Sequence, residues 1–82
     1  MNIQEKASAA KRLRKDEAFQ MFVAEVREAA IAEFVNSGPQ DTDAREEAHA
    51  ILRALAAIDG RLSAAEGAKA INDRKDQHRA ND

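Results

Sequence analysis

The stretch Asn36-Ser37-Gly38-Pro39-Gln40-Asp41 interrupts this 82-residue sequence once, near its middle, and decides how the chain folds. Gly38 can take the left-handed conformation that closes a helix, and Pro39 cannot continue one because it lacks a backbone N–H. Helix-forming residues dominate on both sides of the break. The stretch therefore predicts a loop between two helical arms, which we place at about 16–36 and 43–70.

The residues after the break carry a helix-start pattern. Asp41, Thr42 and Asp43 offer side-chain oxygens for an N-cap, and Asp43 and Glu46 have the spacing of a capping box. A helix that ends at a glycine and restarts within a few residues returns antiparallel to itself. The predicted fold class is therefore all-α, an antiparallel helical hairpin with a short extra N-terminal helix.

Each arm carries an apolar stripe with the period of a helix. The first arm holds all three phenylalanines, and the second holds most of the leucine and isoleucine. Large rings can interdigitate with aliphatic side chains across an antiparallel helix pair. The predicted core residues are Phe19, Phe22, Val23, Val26, Phe34, Ile51, Leu52, Leu55, Ile58 and Leu62.

The two ends of the chain differ from the arms. Residues 1–15 predict a separate short basic helix, because their apolar positions would point away from the phenylalanine stripe in one straight helix. Asp16 can cap the fresh helix that follows. We expect the N-terminal segment to lie near the overhanging end of the second arm. Residues 72–82 are polar without periodicity, which predicts a flexible tail.

Two glycines lie inside the second arm. Gly60 and Gly67 each cost about 1 kcal/mol relative to alanine in a helix interior. They indicate either a weaker helix beyond about residue 66 or the close approach of another helix.

Composition excludes several classes of function. The 13 Lys and Arg against 15 Asp and Glu give a net charge of −2, so no global field attracts nucleic acid or membrane. The absence of Cys excludes disulfides, zinc-thiolate sites and thiol catalysis. No apolar run approaches the roughly 20 residues of a membrane span. A cytosolic location without membrane contact is therefore the expectation from composition.

No catalytic constellation is present in the sequence. It lacks a glycine-rich phosphate loop and a Ser or Cys spaced for a triad, so we predict no enzyme, no catalytic residue and no cofactor. Glu46 and His49 have the Glu-x-x-His spacing of four-helix di-iron sites, with Glu33 as a further candidate ligand. Glu46 and His49 do not face the apolar stripe together, so the pattern favours no metal site. Glu33 could instead pair with Arg45 or lie in water near the turn.

A basic run is the clearest charge feature. Residues 1–15 carry five basic groups and one acid, whereas residues 16–59 carry three and ten. The run could contact phosphates, but it lacks an aromatic platform, and an acidic protein surface of the same or another chain is the favoured partner. The residues proposed for this contact are Lys11, Arg12, Arg14 and Lys15.

A second apolar strip lies on the back of the first arm. It contains Met21, Ile31 and Val35, and Ile3 continues it in direction. A two-helix hairpin buries too little surface to be stable alone, so these residues predict a protein interface with a further copy of the chain or a larger protein. The alternative is a monomer in which the N-terminal helix covers the strip.

Several segments resemble one group of phage proteins. They are Arg12-Leu13-Arg14-Lys15-Asp16-Glu17-Ala18-Phe19-Gln20, Val26-Arg27-Glu28-Ala29, Arg45-Glu46-Glu47-Ala48-His49 and Leu52-Arg53-Ala54-Leu55. Over about residues 12–62 the chain is similar to short helical-hairpin proteins encoded in bacteriophage head, portal and packaging gene modules. Glu17 stands where that group typically has a proline. The resemblance implies a phage origin, a location in the host cytoplasm or a virion and a non-enzymatic role. It makes a larger phage or host protein the expected partner besides a further copy of the chain, and it carries over no functional residue.

These observations lead to one principal expectation and two alternatives. The principal one is a small non-enzymatic interaction protein, a virion or assembly accessory subunit that docks through apolar helix faces. The first alternative is a phage-encoded inhibitor of a host defence protein, with the acidic middle as its surface. The second is a nucleic-acid-binding accessory protein that uses the basic N-terminal segment.

Overall fold

A computed structural model of the chain describes residues 1–81. The described chain consists of α1 (Ile3–Lys15), α2 (Glu17–Asn36) and α3 (Thr42–Asn81), and no strand occurs among these residues. The predicted all-α class is confirmed.

A single non-helical residue separates α1 from α2. Asp16 is extended, with φ −71° and ψ 116°, and its carboxylate accepts a hydrogen bond from the Phe19 N–H at 2.8 Å. At the start of α1, Asn2 caps the helix in the same way by accepting from the Glu5 N–H at 2.8 Å. The new helix at Asp16 that the sequence predicts is therefore present, because its short carboxylate satisfies a free N–H of the first turn of α2.

The loop after α2 closes without a left-handed residue. Ser37 is extended, with φ −70° and ψ 139°, and its hydroxyl donates to the Phe34 carbonyl at 2.7 Å. Gly38 does not have a positive φ, so the prediction that it closes the helix in the left-handed conformation is wrong. Its N–H instead donates to Asp41 Oδ2 at 3.0 Å.

The third helix begins earlier and ends later than predicted. It starts at Thr42, so Asp43 lies in its first turn and cannot be the cap of a capping box. It continues to Asn81, through most of the segment predicted to be a flexible tail. Strong helix formers make up half of residues 72–81, and Lys69 Nζ pairs with Asp73 Oδ2 at 2.6 Å, one helical turn apart. Asp82 lies outside the described residues.

The two glycines of the second arm do not mark a helix crossing. A Cβ built on Gly60 or Gly67 would meet nothing within 4 Å, apart from its own helix backbone. The expectation of a close approach there is wrong, and the helix passes through both positions.

Helix α3 is the axis of the molecule. Helix α2 packs along its N-terminal half and α1 packs across its C-terminal half, which is consistent with the predicted hairpin. The chain measures 63 × 24 × 18 Å with a radius of gyration of 18.2 Å. A compact domain of this length has a radius of gyration of about 12 Å. The long dimension is the length of α3 itself, about 60 Å for 40 residues.

Among the residues whose burial the structure describes, the buried side chains are all alanines. They are Ala7, Ala10, Ala30, Ala48 and Ala65. The predicted core residues that the helix contacts leave half-buried are Phe19, Val23, Ile51, Leu52, Leu55 and Leu62. The exposed ones are Phe22, Val26, Phe34 and Ile58. The predicted core is therefore not met at these four positions within one chain, because two helices enclose only the centre of each stripe.

Candidate interaction surfaces

The chain exposes far more surface than its mass predicts. Its accessible surface is 6522 Å² for 9.0 kDa. A monomeric globular protein of this mass exposes about 4,900 Å². The excess of about 1,600 Å² lies on an extended molecule whose large apolar side chains are mostly exposed or half-buried.

One apolar surface spans α2 and α3. Phe34 lies in one groove with His49, and Phe19 lies in another with Leu62, so the two helices run in opposite directions. In an antiparallel pair of right-handed helices, positions that precede the contact stripe on each helix lie on the same side. This surface, which we name the Phe22 face, consists of Phe22, Val26, Ile51, Ala54 and Ile58.

The Phe22 face is open to solvent. Phe22 is 59% exposed and Ile58 is 46% exposed, although each carries a large apolar side chain. Exposed apolar area of this kind, clustered on one side, is typical of an interaction site. The prediction from sequence placed these residues in a core, and their helical direction could have indicated that they lie at the flank of the stripe.

The second apolar strip is exposed as well, but it is not continuous with Ile3. Met21, Ile31 and Val35 lie on the side of α2 away from α3, and Val35 is 71% exposed. Ile3 lies in a groove with α3 residues 61–68. The structure therefore does not bring Ile3 together with the other three residues, and α1 does not cover the strip.

The basic run separates into one paired arginine and three free cations. Arg14 donates from Nη1 to Glu66 Oε2 at 2.5 Å, and from Nη2 to Ser63 Oγ at 2.8 Å and Asp59 Oδ1 at 3.3 Å. The hydrogen bonds to Glu66 and then Asp59 raise the pKa of Arg14 above its usual value. Arg14 therefore holds the end of α1 against α3.

The sequence contains the signal for this clamp. Asp59, Ser63 and Glu66 recur at positions i, i+4 and i+7 of α3, which places their side chains in one row. A polar row beside an apolar stripe indicates a polar partner, and sequence reasoning did not use it.

The remaining cations of the basic run are Lys11, Arg12 and Lys15, and all three are exposed. None of them forms an ion pair within the part of the chain that the structure describes. They stay available for an acidic surface or a phosphate.

The Glu-x-x-His pair lies at the turn end of the molecule. Glu46 and His49 line a shallow groove with Phe34, Thr42 and Arg45. Among the described residues, no group of three or more His, Cys, Asp or Glu side chains could hold a metal ion.

Arg45 does not pair with Glu33. Its guanidinium donates to the Pro39 carbonyl at 3.2 Å and so ties the loop to α3. Glu33 is exposed near the turn, which is the alternative that placed it in water.

Within residues 1–81, none of the helices has the length and apolar character that crossing a membrane requires. Comparison of the chain with protein-family models, with curated proteins and with solved structures finds no match in any of the three.

Proposed function

We propose that this chain is a small non-enzymatic interaction protein of bacteriophage type, built as an antiparallel helical hairpin with α1 packed across its open end. It docks through apolar helix faces as an accessory subunit of the virion or of its assembly. The observation that carries the proposal is the exposure of Phe22, Val26 and Ile58 on one side of the chain.

The composition of the surface supports docking rather than chemistry. The exposure of aromatic and β-branched side chains to water is unfavourable, and a partner that covers them removes this cost. The phage assignment rests on the sequence resemblance over about residues 12–62.

The virion role is tested with particles from the strain that encodes the chain. Particles purified on a density gradient are probed with an antibody against the chain, and immature shells are collected separately. Detection at fixed stoichiometry in either fraction supports the proposal. Absence from both, with the chain present in the lysate, contradicts it.

The acidic turn favours one second candidate. Residues 33–47 carry five acids and one base, and no ion pair occupies them within the described chain. Such a surface could imitate the acidic ligand of a host defence protein. A chain absent from particles that restores phage growth on a defended host would favour this inhibitor over the virion subunit.

A further inference from the structure

We propose that the Phe22 face is covered by a second copy of this chain, which lies antiparallel to the first in a two-fold dimer. The α2–α3 pairs of the two copies then form a four-helix bundle of two layers. This inference deepens the proposed function, since it names the partner of one apolar face, and it rests on that function's premise that the faces dock.

The face presents both large and small side chains. Phe22 and Val26 are large and lie on α2, whereas Ile51, Ala54 and Ile58 give the neighbouring flank of α3 a less uniform outline. In a two-fold interface the same patch serves both chains. With the two copies antiparallel, each α2 packs on the α2 of the other copy and each α3 on its α3, and ridges and grooves of side chains interlock at such helix–helix contacts.

The surface area supports an interface of this size. The chain exposes 6522 Å², about 1,600 Å² more than a compact monomer of the same mass. Standard interfaces remove about 800 Å² from each partner, and obligate dimers remove more. A dimer interface of standard size would remove about half of this excess from each chain.

The charges at the two ends of the face determine the orientation. Glu33 and Glu47 lie at the turn end, and Lys6 and Arg61 line one groove at the α1 end. None of these four side chains forms an ion pair within residues 1–81. A parallel dimer would bring like charges together, whereas an antiparallel dimer places each acidic end against the basic end of the other copy.

The first experiment measures the oligomeric state of the full chain by sedimentation equilibrium over a range of concentrations. We expect a dimer for the wild type. Phe22→Glu should weaken dimerisation at least 100-fold and keep the helical circular dichroism, because Phe22 is exposed in the single chain. The matched control Val35→Glu places the same charge on the other side of α2 and should leave the dimer intact.

A second variant keeps this test valid if Phe22→Glu does not fold. Ala54→Arg keeps a strong helix former and places a large charged side chain on the Phe22 face, so it should also give a folded monomer. A wild type that stays monomeric at every concentration, or a dimer broken by Val35→Glu and not by Ala54→Arg, would overturn the inference. A monomer that is still found in purified particles would overturn the dimer and leave the proposed function standing.

The second experiment tests the orientation by charge reversal. Glu47→Lys and Arg61→Glu should each weaken dimerisation about 10-fold, and the double variant should recover most of the loss because the pairs are restored with reversed sign. Glu28→Lys, on the back of α2, is the control and should have no effect. A double variant that dimerises more weakly than either single variant would overturn the antiparallel arrangement. A monomer that binds duplex DNA through α1 with a steep salt dependence would overturn it as well.

Discussion

The two regions where another helix covers α3 differ in the side chains that surround their buried alanines. At the α1 crossing, Ala7, Ala10 and Ala65 are buried, and Arg14 closes the contact with ion pairs. Along α2, Ala30 and Ala48 are buried too, but phenylalanine, valine, leucine and isoleucine flank them and stay half-buried or exposed. Small side chains let the helices approach closely in both regions, whereas the large ones along α2 extend beyond the contact and need a further layer.

The α1 contact is the more complete of the two within one chain. The α1 crossing is closed, so its stability depends on fit and on the Arg14 cluster. The α2–α3 contact is open at its flank, so part of its apolar surface gains stability only when a partner covers it.

The largest expected effect is at the centre of the α2–α3 contact. Leu55→Ala should lower the free energy of unfolding by about 2–3 kcal/mol, the low end for a leucine truncation because Leu55 is only half-buried. Phe22→Ala, measured by urea unfolding at a dilution where the chain is monomeric, should cost less than about 1 kcal/mol. Equal losses for the two variants would mean that the flank and the centre are buried alike.

The next effect breaks the α1 crossing. Ala10→Leu adds volume where α1 touches α3 and should lower the free energy of unfolding by about 1–2 kcal/mol through overpacking. Ala32→Leu, on the exposed side of α2, is the matched control and should change it little. Chemical denaturation of both variants decides the point, and a stabilising Ala10→Leu would show that the crossing contains unfilled space.

A smaller effect of opposite sign is expected in the axis helix. Gly60→Ala and Gly67→Ala should each raise the free energy of unfolding by about 0.5–1 kcal/mol, because an added methyl group meets nothing and alanine restricts the unfolded chain. Thermal unfolding of the single and double variants measures the gain. A loss at Gly60 would indicate that an unseen neighbour packs against it.

The smallest effect is expected at the polar clamp of α1. Arg14→Gln removes the ion pairs with Glu66 and Asp59 and should speed amide hydrogen exchange in α1 while leaving α2 unchanged. Lys15→Gln is the control, because Lys15 forms no ion pair within residues 1–81. The raised pKa means that the Arg14 contribution is present below its ordinary pKa and is lost only as pH rises through the higher folded value. Equal exchange in both variants would remove the clamp from the account.

Local chemistry in the sequence determined the helices and the interruptions between them. The helix-forming composition, the break at 36–41 and the cap at Asp16 each depend on residues a few positions apart, so they are readable without a fold. The capping box at Asp43 and the left-handed Gly38 were wrong because several nearby residues could perform the same local task. The flexible tail was predicted from its lack of periodicity, although α3 continues to Asn81 with its local helix formers and the Lys69–Asp73 ion pair.

Only the tertiary structure decided what each helix face meets. Periodicity gives the direction of a side chain and not what lies in that direction, so the stripe that predicted a core at Phe22 and Ile58 runs to an open flank. The choice of α3 over the back of α2 as the seat of α1 follows from the fit of alanines and from the Arg14 partners on α3. These partners are separated from Arg14 by about 50 positions, and such contacts depend on the packing of whole helices rather than on any local pattern.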